Sequence, residues 1–244
     1  MLVFGGSGGL GQAICARMAE DWPAVVFTYN GNLERAERLA DELRPCCEAA
    51  FAKADVRREE DVAAALSLAD GLAGGLSTVV FAVGADILQP FVSQMSQNQW
   101  SDVIETELLG FARIVRLSLP ILRRRGGSIV TVASFATQRF PPGDAISAVP
   151  KAGTEMLTRA VAKEEGRYGI RANTVAPGII DAGLGKAVQD KVFTPEIWAG
   201  QKRMVPLQRF GLASEVADAV GFLASRRASY ISGQTIAVDG GLHI

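Results

Sequence analysis

Gly5, Gly9 and Gly11 stand at a Gly-x3-Gly-x-Gly spacing inside the run Val3-Phe4-Gly5-Gly6-Ser7-Gly8-Gly9-Leu10-Gly11. An apolar strand end (Leu2, Val3, Phe4) leads into this loop, and a helical pattern with Leu10, Ile14, Met18 and Ala19 on one face follows at once. Strand, glycine loop and helix in that order make a phosphate cradle. Glycine allows tight turns with positive φ, and a backbone without Cβ atoms lets a pyrophosphate approach. The helix that starts near Leu10 aims its free N–H groups and the positive end of its dipole at the phosphates. Glycine-rich turns are common, so the placement after a strand and before a helix is what gives this one meaning. No histidine, cysteine and carboxylate grouping has metal-ligand spacing, so no metal is expected.

The cradle needs a scaffold, and the chain alternates strand and helix with no linker or low-complexity break. Ala24-Val25-Val26-Phe27-Thr28-Tyr29 reads as a second strand and Leu33 to Leu43 as a charged amphipathic helix. Ala49 to Ala54 reads as a third strand ending at Asp55-Val56, followed by a helix over Asp61 to Leu72 and a buried strand over Ser77 to Val83. Helices over Trp100–Arg124 and Ala152–Glu165 flank a further buried strand, Ser128–Ala133. Ile170–Val175 and Thr235–Val238 read as the last two strands. Continuous apolar strands alternating with helices predict an α/β fold, a Rossmann-type doubly wound parallel sheet with helices on both faces. One domain spans 1–244. Ligands in such sheets bind beyond the carboxyl ends of the strands, where the winding reverses. The stretch Asp181–Phe210 breaks the rhythm, with Gly183, Gly185, Pro195 and Pro206 among the apolar Phe193, Ile197, Trp198 and Met204. Its place after a strand end predicts a substrate lid over 181–210, or else an ordinary packed helical insertion.

Composition excludes several other classes. A chain of 244 residues and 25.8 kDa can bury roughly 70–75% of its unfolded surface. Apolar residues make up 48% and charged residues 21%, with a net charge of −1 and a pI of about 6.0, so neither a nucleic acid nor a membrane surface is expected as partner. No apolar run approaches the ~20 residues of a membrane span. Three cysteines, an odd number that includes the neighbours Cys46-Cys47, fit a reducing compartment better than a disulfide framework. The first strand is entered at Met1, which leaves no room for a signal peptide. A cytoplasmic protein is expected.

These motifs together resemble the short-chain dehydrogenase/reductase family, nearly end to end. The glycine loop matches the family's opening motif, with Phe4 where threonine is usual. Asp55-Val56 matches the pair that holds the adenine, and Val79-Val80-Phe81-Ala82-Val83-Gly84 lies where the family has Asn-Asn-Ala-Gly, of which only the glycine survives. Ile170-Arg171-Ala172-Asn173-Thr174-Val175-Ala176-Pro177-Gly178 is similar to the stretch leading into the nicotinamide site. Ser232-Gly233-Gln234 and Val238-Asp239-Gly240-Gly241 resemble the family's C-terminal signature. The resemblance implies a dinucleotide held by Gly5, Ser7, Gly8, Gly9, Leu10 and Gly11. It extends that site to Asn30, Asn32, Asp55 and Val56, then to Ala82, Gly84, Lys151, Pro177, Gly178 and Ile180.

The family's catalytic residues are Asn, Ser, Tyr and Lys. Tyrosine protonates the carbonyl, lysine lowers its pKa and holds the ribose, serine holds the substrate oxygen, and asparagine supports a water relay. Lys151 and Ser134 match the lysine and serine positions, but Ser147 stands where the tyrosine belongs and Glu107 where the asparagine belongs. Ser147 lies four residues before Lys151, on the same helical face. A serine hydroxyl is a far weaker acid than a phenol, and general acid catalysis is typically worth about 10²–10⁴-fold. Glu107 meets Lys151 as an ion pair, replaces the lost acid, or is a solvated helix residue. Asp144, seven residues before Lys151, occupies the place of the tyrosine in the related enoyl-reductase branch, or else caps the helix ahead of Ala145.

Two functions stay open. One is an NAD(P)H-dependent reductase with altered acid chemistry, acting on a largely apolar small molecule with a carbonyl or a conjugated C=C. The other is a catalytically weak dinucleotide-binding protein that serves as an assembly partner. Tyr29-Asn30-Gly31-Asn32 offers no carboxylate for a ribose 2′-OH before Glu34, and the family's variants of this kind favour NADP(H), with NAD(H) possible. Ile104, Leu108, Leu109, Phe111, Ile114, Met156, Leu157 and Val161 exceed the apolar surface that one sheet face needs. A homo-oligomer, tetramer or dimer, is expected on that ground and on the family's habit of pairing these helices. His243, the lone histidine, is expected at a subunit contact.

Overall fold

In a computed structural model the described residues are 1–72, 74–85, 90–182 and 194–244. Seven parallel strands form one sheet: β1 (Leu2–Phe4), β2 (Ala24–Tyr29), β3 (Glu48–Lys53), β4 (Thr78–Phe81), β5 (Gly127–Val132), β6 (Ile170–Pro177) and β7 (Thr235–Val238). Their order is β3-β2-β1-β4-β5-β6-β7, so the winding reverses between β1 and β4. The central strands β1 and β4 are buried throughout, which is why they read as unbroken apolar runs. Residue pairs such as Val3↔Phe27, Phe4↔Phe81 and Val79↔Ile129 set the register.

The helices are α1 (Gly9–Ala19), α2 (Leu33–Leu43), α3 (Glu59–Gly71), α4 (Gln97–Val103), α5 (Gly110–Leu122), α6 (Ala145–Glu165), α7 (Pro195–Met204) and α8 (Ala213–Ala224). They cover both faces. On one face Ile14, Met18, Leu39, Val216 and Val220 pack on Val3, Val25 and Phe27. On the other Val62, Leu66, Phe111, Ile114 and Val161 pack on Phe4, Phe81 and Ile129. No helix among the described residues is long and apolar enough to cross a membrane.

Most element ends lie within two residues of the sequence expectation, and three differences bear on the site. β4 stops at Phe81 rather than Val83: the Ala82 N–H makes a 2.9 Å bond to the Phe4 carbonyl, and the chain then leaves the sheet. The expected helix over Trp100–Arg124 starts earlier, at Gln97, under a reciprocal Ser96–Gln99 cap. It is also interrupted, because Ile104–Leu109 forms a π-helical segment in which the Gly110 N–H bonds the Glu105 carbonyl. The last difference is α6, which begins seven residues before the expected Ala152 and carries the buried Pro150 inside it.

Candidate active site

The glycine loop leaves β1 at the point of strand reversal. Gly5 sits at φ +78°, and a Cβ there would fall 2.7 Å from the Ala82 carbonyl oxygen; one on Gly11 would fall 2.1 Å from the Gly5 carbonyl oxygen. Only glycine lets the loop fold back on itself and against the end of β4 so closely. The Gly5 N–H donates to Thr28 Oγ1 at 3.0 Å, which ties the loop to β2. Thr28 was not legible as a site residue; its signal was a hydroxyl near the carboxyl end of the neighbouring strand. Gly8 begins α1 with no side-chain cap, and the first turn carries no acidic residue. Uncapped N–H groups at a helix start, free of negative charge, fit the pyrophosphate of a dinucleotide.

That loop forms one wall of a cleft of about 390 Å³ at the carboxyl ends of the strands. Gly8, Gly9, Leu10 and Gly11 face Ala82 to Ala85 from β4, Pro177 to Ile180 from β6, and Ser134, Ser147, Lys151 and Glu107. Leu10, Val132, Phe135, Ile179, Ile180 and Trp198 make its apolar surface. Topology therefore gathers residues from seven separate parts of the chain into one place. A wider groove of about 1200 Å³ lies at the opposite, amino ends of the strands, lined by Arg17, Arg125 and Arg171, and holds none of the predicted site residues.

At the base of the cleft Lys151 Nζ lies 2.6 Å from Glu107 Oε2, with the two side chains 13% and 1% exposed. The other Glu107 oxygen, Oε1, accepts the Ala85 N–H at 2.9 Å. The π segment explains how a residue in the middle of a helix reaches both partners: the extra residue in the turn rotates Glu107 out of regular α register. Glu107 is thus no solvated helix residue.

The serines stand differently. Ser134 follows β5, and its Oγ accepts the Ala136 N–H at 3.2 Å, which holds the side chain at the start of a short 3₁₀ turn. Ser147 lies one turn before Lys151 on α6, half-buried. Asp144 is buried along the same cleft and stands at the cap position of α6 ahead of Ala145, as one of the two expectations had it, though its side chain makes no cap bond.

Six predicted cofactor positions lie outside the cleft lining. Asn32 Oδ1 accepts the Arg35 N–H at 2.8 Å and so caps α2, while Asn30 is exposed at the end of β2. Asp55 is held by Arg57, whose guanidinium and N–H lower its carboxyl below the usual range. Val56 is buried against α5 and gives its carbonyl to Arg113 at 2.7 Å. Gly5 and Ser7 brace the loop behind the cleft wall. None of the three tyrosines lines the cleft: Tyr29 packs on Phe51, Tyr168 lies under Arg123 and Arg167, and Tyr230 is fully exposed in the opposite groove. His243 Nδ1 is 2.7 Å from Asp239 Oδ2, an intramolecular partner. Of the expected lid, 183–193 lie outside the described residues; Trp198 and Gln201 of α7 line the cleft, and Trp198 meets Phe210 edge-on at 5.3 Å. Neither Gln201 nor Gln12, whose amide donates to the Ser7 carbonyl at 3.2 Å, was anticipated.

Residues 5–243 match the family model described as Enoyl-(Acyl carrier protein) reductase. The chain is 34% identical over 245 residues to the 3-oxoacyl-(acyl-carrier-protein) reductase FabG of Staphylococcus aureus, covering 100% of this chain and 97% of that protein. In three dimensions it is similar to a short-chain type dehydrogenase/reductase from Mycobacterium ulcerans, with a TM-score of 0.92, 25% identity, and coverage of 99% and 88% of the two chains. It is equally similar, at a TM-score of 0.92 with 28% identity and coverage of 99% and 96%, to a variant of actinorhodin polyketide ketoreductase solved with NADPH.

Proposed function

The chain belongs to the short-chain dehydrogenase/reductase family, and on that footing we propose that it is an NADPH-dependent reductase of a largely apolar carbonyl or conjugated C=C substrate. The observation that carries this reading is the meeting of Lys151, Ser134 and Ser147 with the glycine loop in one apolar-walled cleft. When bound, the nicotinamide supplies a hydride to the substrate carbon. Gly8, Gly9, Leu10 and Gly11 would hold its pyrophosphate, with Ala82, Gly84, Pro177, Gly178 and Ile180 along its length. The hydroxyls of Ser134 and Ser147 would donate to the substrate oxygen as negative charge develops there. Leu10, Ile180 and Trp198 would keep water from the reacting face and receive an apolar chain, such as the acyl group named for the Staphylococcus aureus relative. A cytoplasmic setting suits its free cysteines.

NADPH is preferred over NADH because no carboxylate follows β2 before Glu34 to receive an unphosphorylated ribose. Fluorescence titration checks this: NADPH is expected to bind the tighter of the two, and NADH binding tenfold tighter would overturn the assignment. Turnover is checked by following NADPH consumption against 3-oxoacyl thioesters, ketones and enones.

One observation favours a second reading. Lys151 is already neutralised by Glu107 at 2.6 Å, which would weaken ribose binding and catalysis and suit a dinucleotide-binding assembly partner. A wild type inert across that substrate panel, beside a Ser147→Tyr, Glu107→Asn variant that reduces ketones, would decide for it.

A further inference from the structure

We infer that Glu155 is the positioning residue that holds Ser134 in this cleft, a role that rests on the reductase reading above. Glu155 stands one turn after Lys151 on α6, buried behind the cleft rather than in its lining. A buried carboxyl group needs polar partners. Its Oε2 lies 3.4 Å from the Thr235 hydroxyl at the start of β7 and 3.6 Å from the guanidinium of the half-exposed Arg159. Its Oε1 lies much closer, 2.5 Å from the Thr137 hydroxyl. That short contact reaches the segment that carries Ser134, because Thr137 closes the 3₁₀ turn that Ser134 begins. The Thr137 hydroxyl also stands 2.9 Å from the Ser134 carbonyl, and the Thr137 N–H bonds the same carbonyl at 3.2 Å. One threonine thus bridges the backbone of Ser134 to α6.

The place of Ser134 in the fold explains why it needs such a brace. β5 ends at Val132, and the Ala133 N–H still bonds the Val175 carbonyl at 2.8 Å. Inside the sheet, β5 is tied to α6 by the Thr131 and Thr158 hydroxyls, 2.9 Å apart. Ser134 lies past that point, in the turn, where the strand ladder no longer fixes it. Its Oγ accepts the Ala136 N–H at 3.2 Å, so any shift of the turn carries the hydroxyl with it. The Glu155–Thr137 contact sets how far the turn stands from the helix that bears Ser147 and Lys151. Lys151 and Glu155, four residues apart, share one helical face. That face therefore offers Lys151 to the cleft and holds the Ser134 turn in register with it. A reacting group misplaced by about 1 Å can cost about 10²-fold in rate.

Glu155→Leu removes the acceptor and leaves the Thr137 hydroxyl its contact with the Ser134 carbonyl. Its kcat for NADPH-dependent ketone or 3-oxoacyl thioester reduction is expected to fall by about 10–10²-fold, with NADPH affinity unchanged in fluorescence titration. Glu155→Gln, whose amide oxygen can face Thr137 while its NH2 faces Thr235, should restore most of the rate. In a Ser134→Ala background Glu155→Leu should cost nothing further, because its effect passes through Ser134. In the ligand-free protein, hydrogen exchange at the Ala136 and Thr137 amides should quicken in Glu155→Leu and not in Glu155→Gln. Thr137→Val cuts the same link from the other side and should give both effects even where Glu155→Leu does not fold. Exchange left unchanged by these substitutions, or a full loss of rate on adding Glu155→Leu to Ser134→Ala, overturns the assignment. If wild type binds NADPH but reduces no substrate, the reductase reading fails, and hydrogen exchange alone decides whether Glu155 holds the turn.

Discussion

Lys151 enters any reaction here as half of a pair. Its partner, Glu107, is 1% exposed, and removing one member of a buried pair leaves an uncompensated charge, at a cost of about 3–5 kcal/mol. Glu107→Gln should therefore lower the urea midpoint markedly, by about 3 kcal/mol of unfolding free energy, whereas an exposed pair such as Arg38–Glu34 should contribute under about 1 kcal/mol. The same pair sets what Ser147→Tyr can do. A phenol four residues before Lys151 would feel its ammonium and become a better acid. If Ser147 only fills the space of a lost ring, ketone reduction should rise by an order of magnitude or more, measured by NADPH consumption, and further when Glu107→Asn is added. A native activity abolished by the phenol would instead mean that Ser147 belongs to a working site of another design.

Elements carry these side chains, and their termini are where they fail. In the glycine loop, Gly5→Ala combines a positive φ with a Cβ 2.7 Å from the Ala82 carbonyl oxygen, whereas Gly74→Ala at φ +82° meets open space. Strain of positive φ alone is worth about 1–3 kcal/mol. Gly74→Ala should lose that much and leave NADPH binding intact; Gly5→Ala should lose more and weaken NADPH binding, as thermal melts and fluorescence titration would show. Farther along, Glu215 holds the start of α8, accepting the Leu212 N–H at 2.8 Å and two bonds from the Arg209 guanidinium at 2.8 and 2.5 Å. Those bonds pull its carboxyl down to about 2 from an ordinary 4.5. The folded state thus binds fewer protons than the unfolded one between those values, so stability is fully present above pH 4.5 and is lost as pH falls toward 2. Glu215→Gln should flatten that part of the acid limb in urea melts at successive pH values; a limb of unchanged slope would show that other carboxylates set it.

For the whole molecule, the helices expected to mediate assembly divide in two. Phe111, Ile114 and Val161 turn into the protein's own core and are unavailable. Leu109, Val149 and Met156 remain 44%, 50% and 60% exposed, the last two seven residues apart on α6. Apolar side chains at that spacing share a helical face, and exposed faces of this kind mark interfaces. Self-association through α6 is the expected outcome, with a sedimentation mass of at least twice 25.8 kDa. Val149→Asp with Met156→Asp should bring the mass to that of a single chain. A wild type already at that mass would refute the assembly.

The sequence alone determined the order of strands and helices, the glycine loop between the first strand and the first helix, and the match to the dehydrogenase family. Those are local or periodic properties: unbroken apolar runs follow from strands buried on both faces, and the cradle follows from residues within one strand–loop–helix unit. Element ends were less legible. Ala82 leaves the sheet because its last bond is to Phe4, 78 positions away, and α6 runs back through Pro150 because tertiary burial outweighs a local breaker. The site chemistry depended most on the fold. A π turn, invisible to a 3.6-residue pattern, carried Glu107 onto Lys151 and the Ala85 N–H. Thr28 reached the glycine loop only because β2 lies beside β1. Asp144 came to line the cleft only because the segment before α6 packs beside the ends of β4 and β6. Side-chain direction depends on packing between distant segments, and that only the tertiary structure decides.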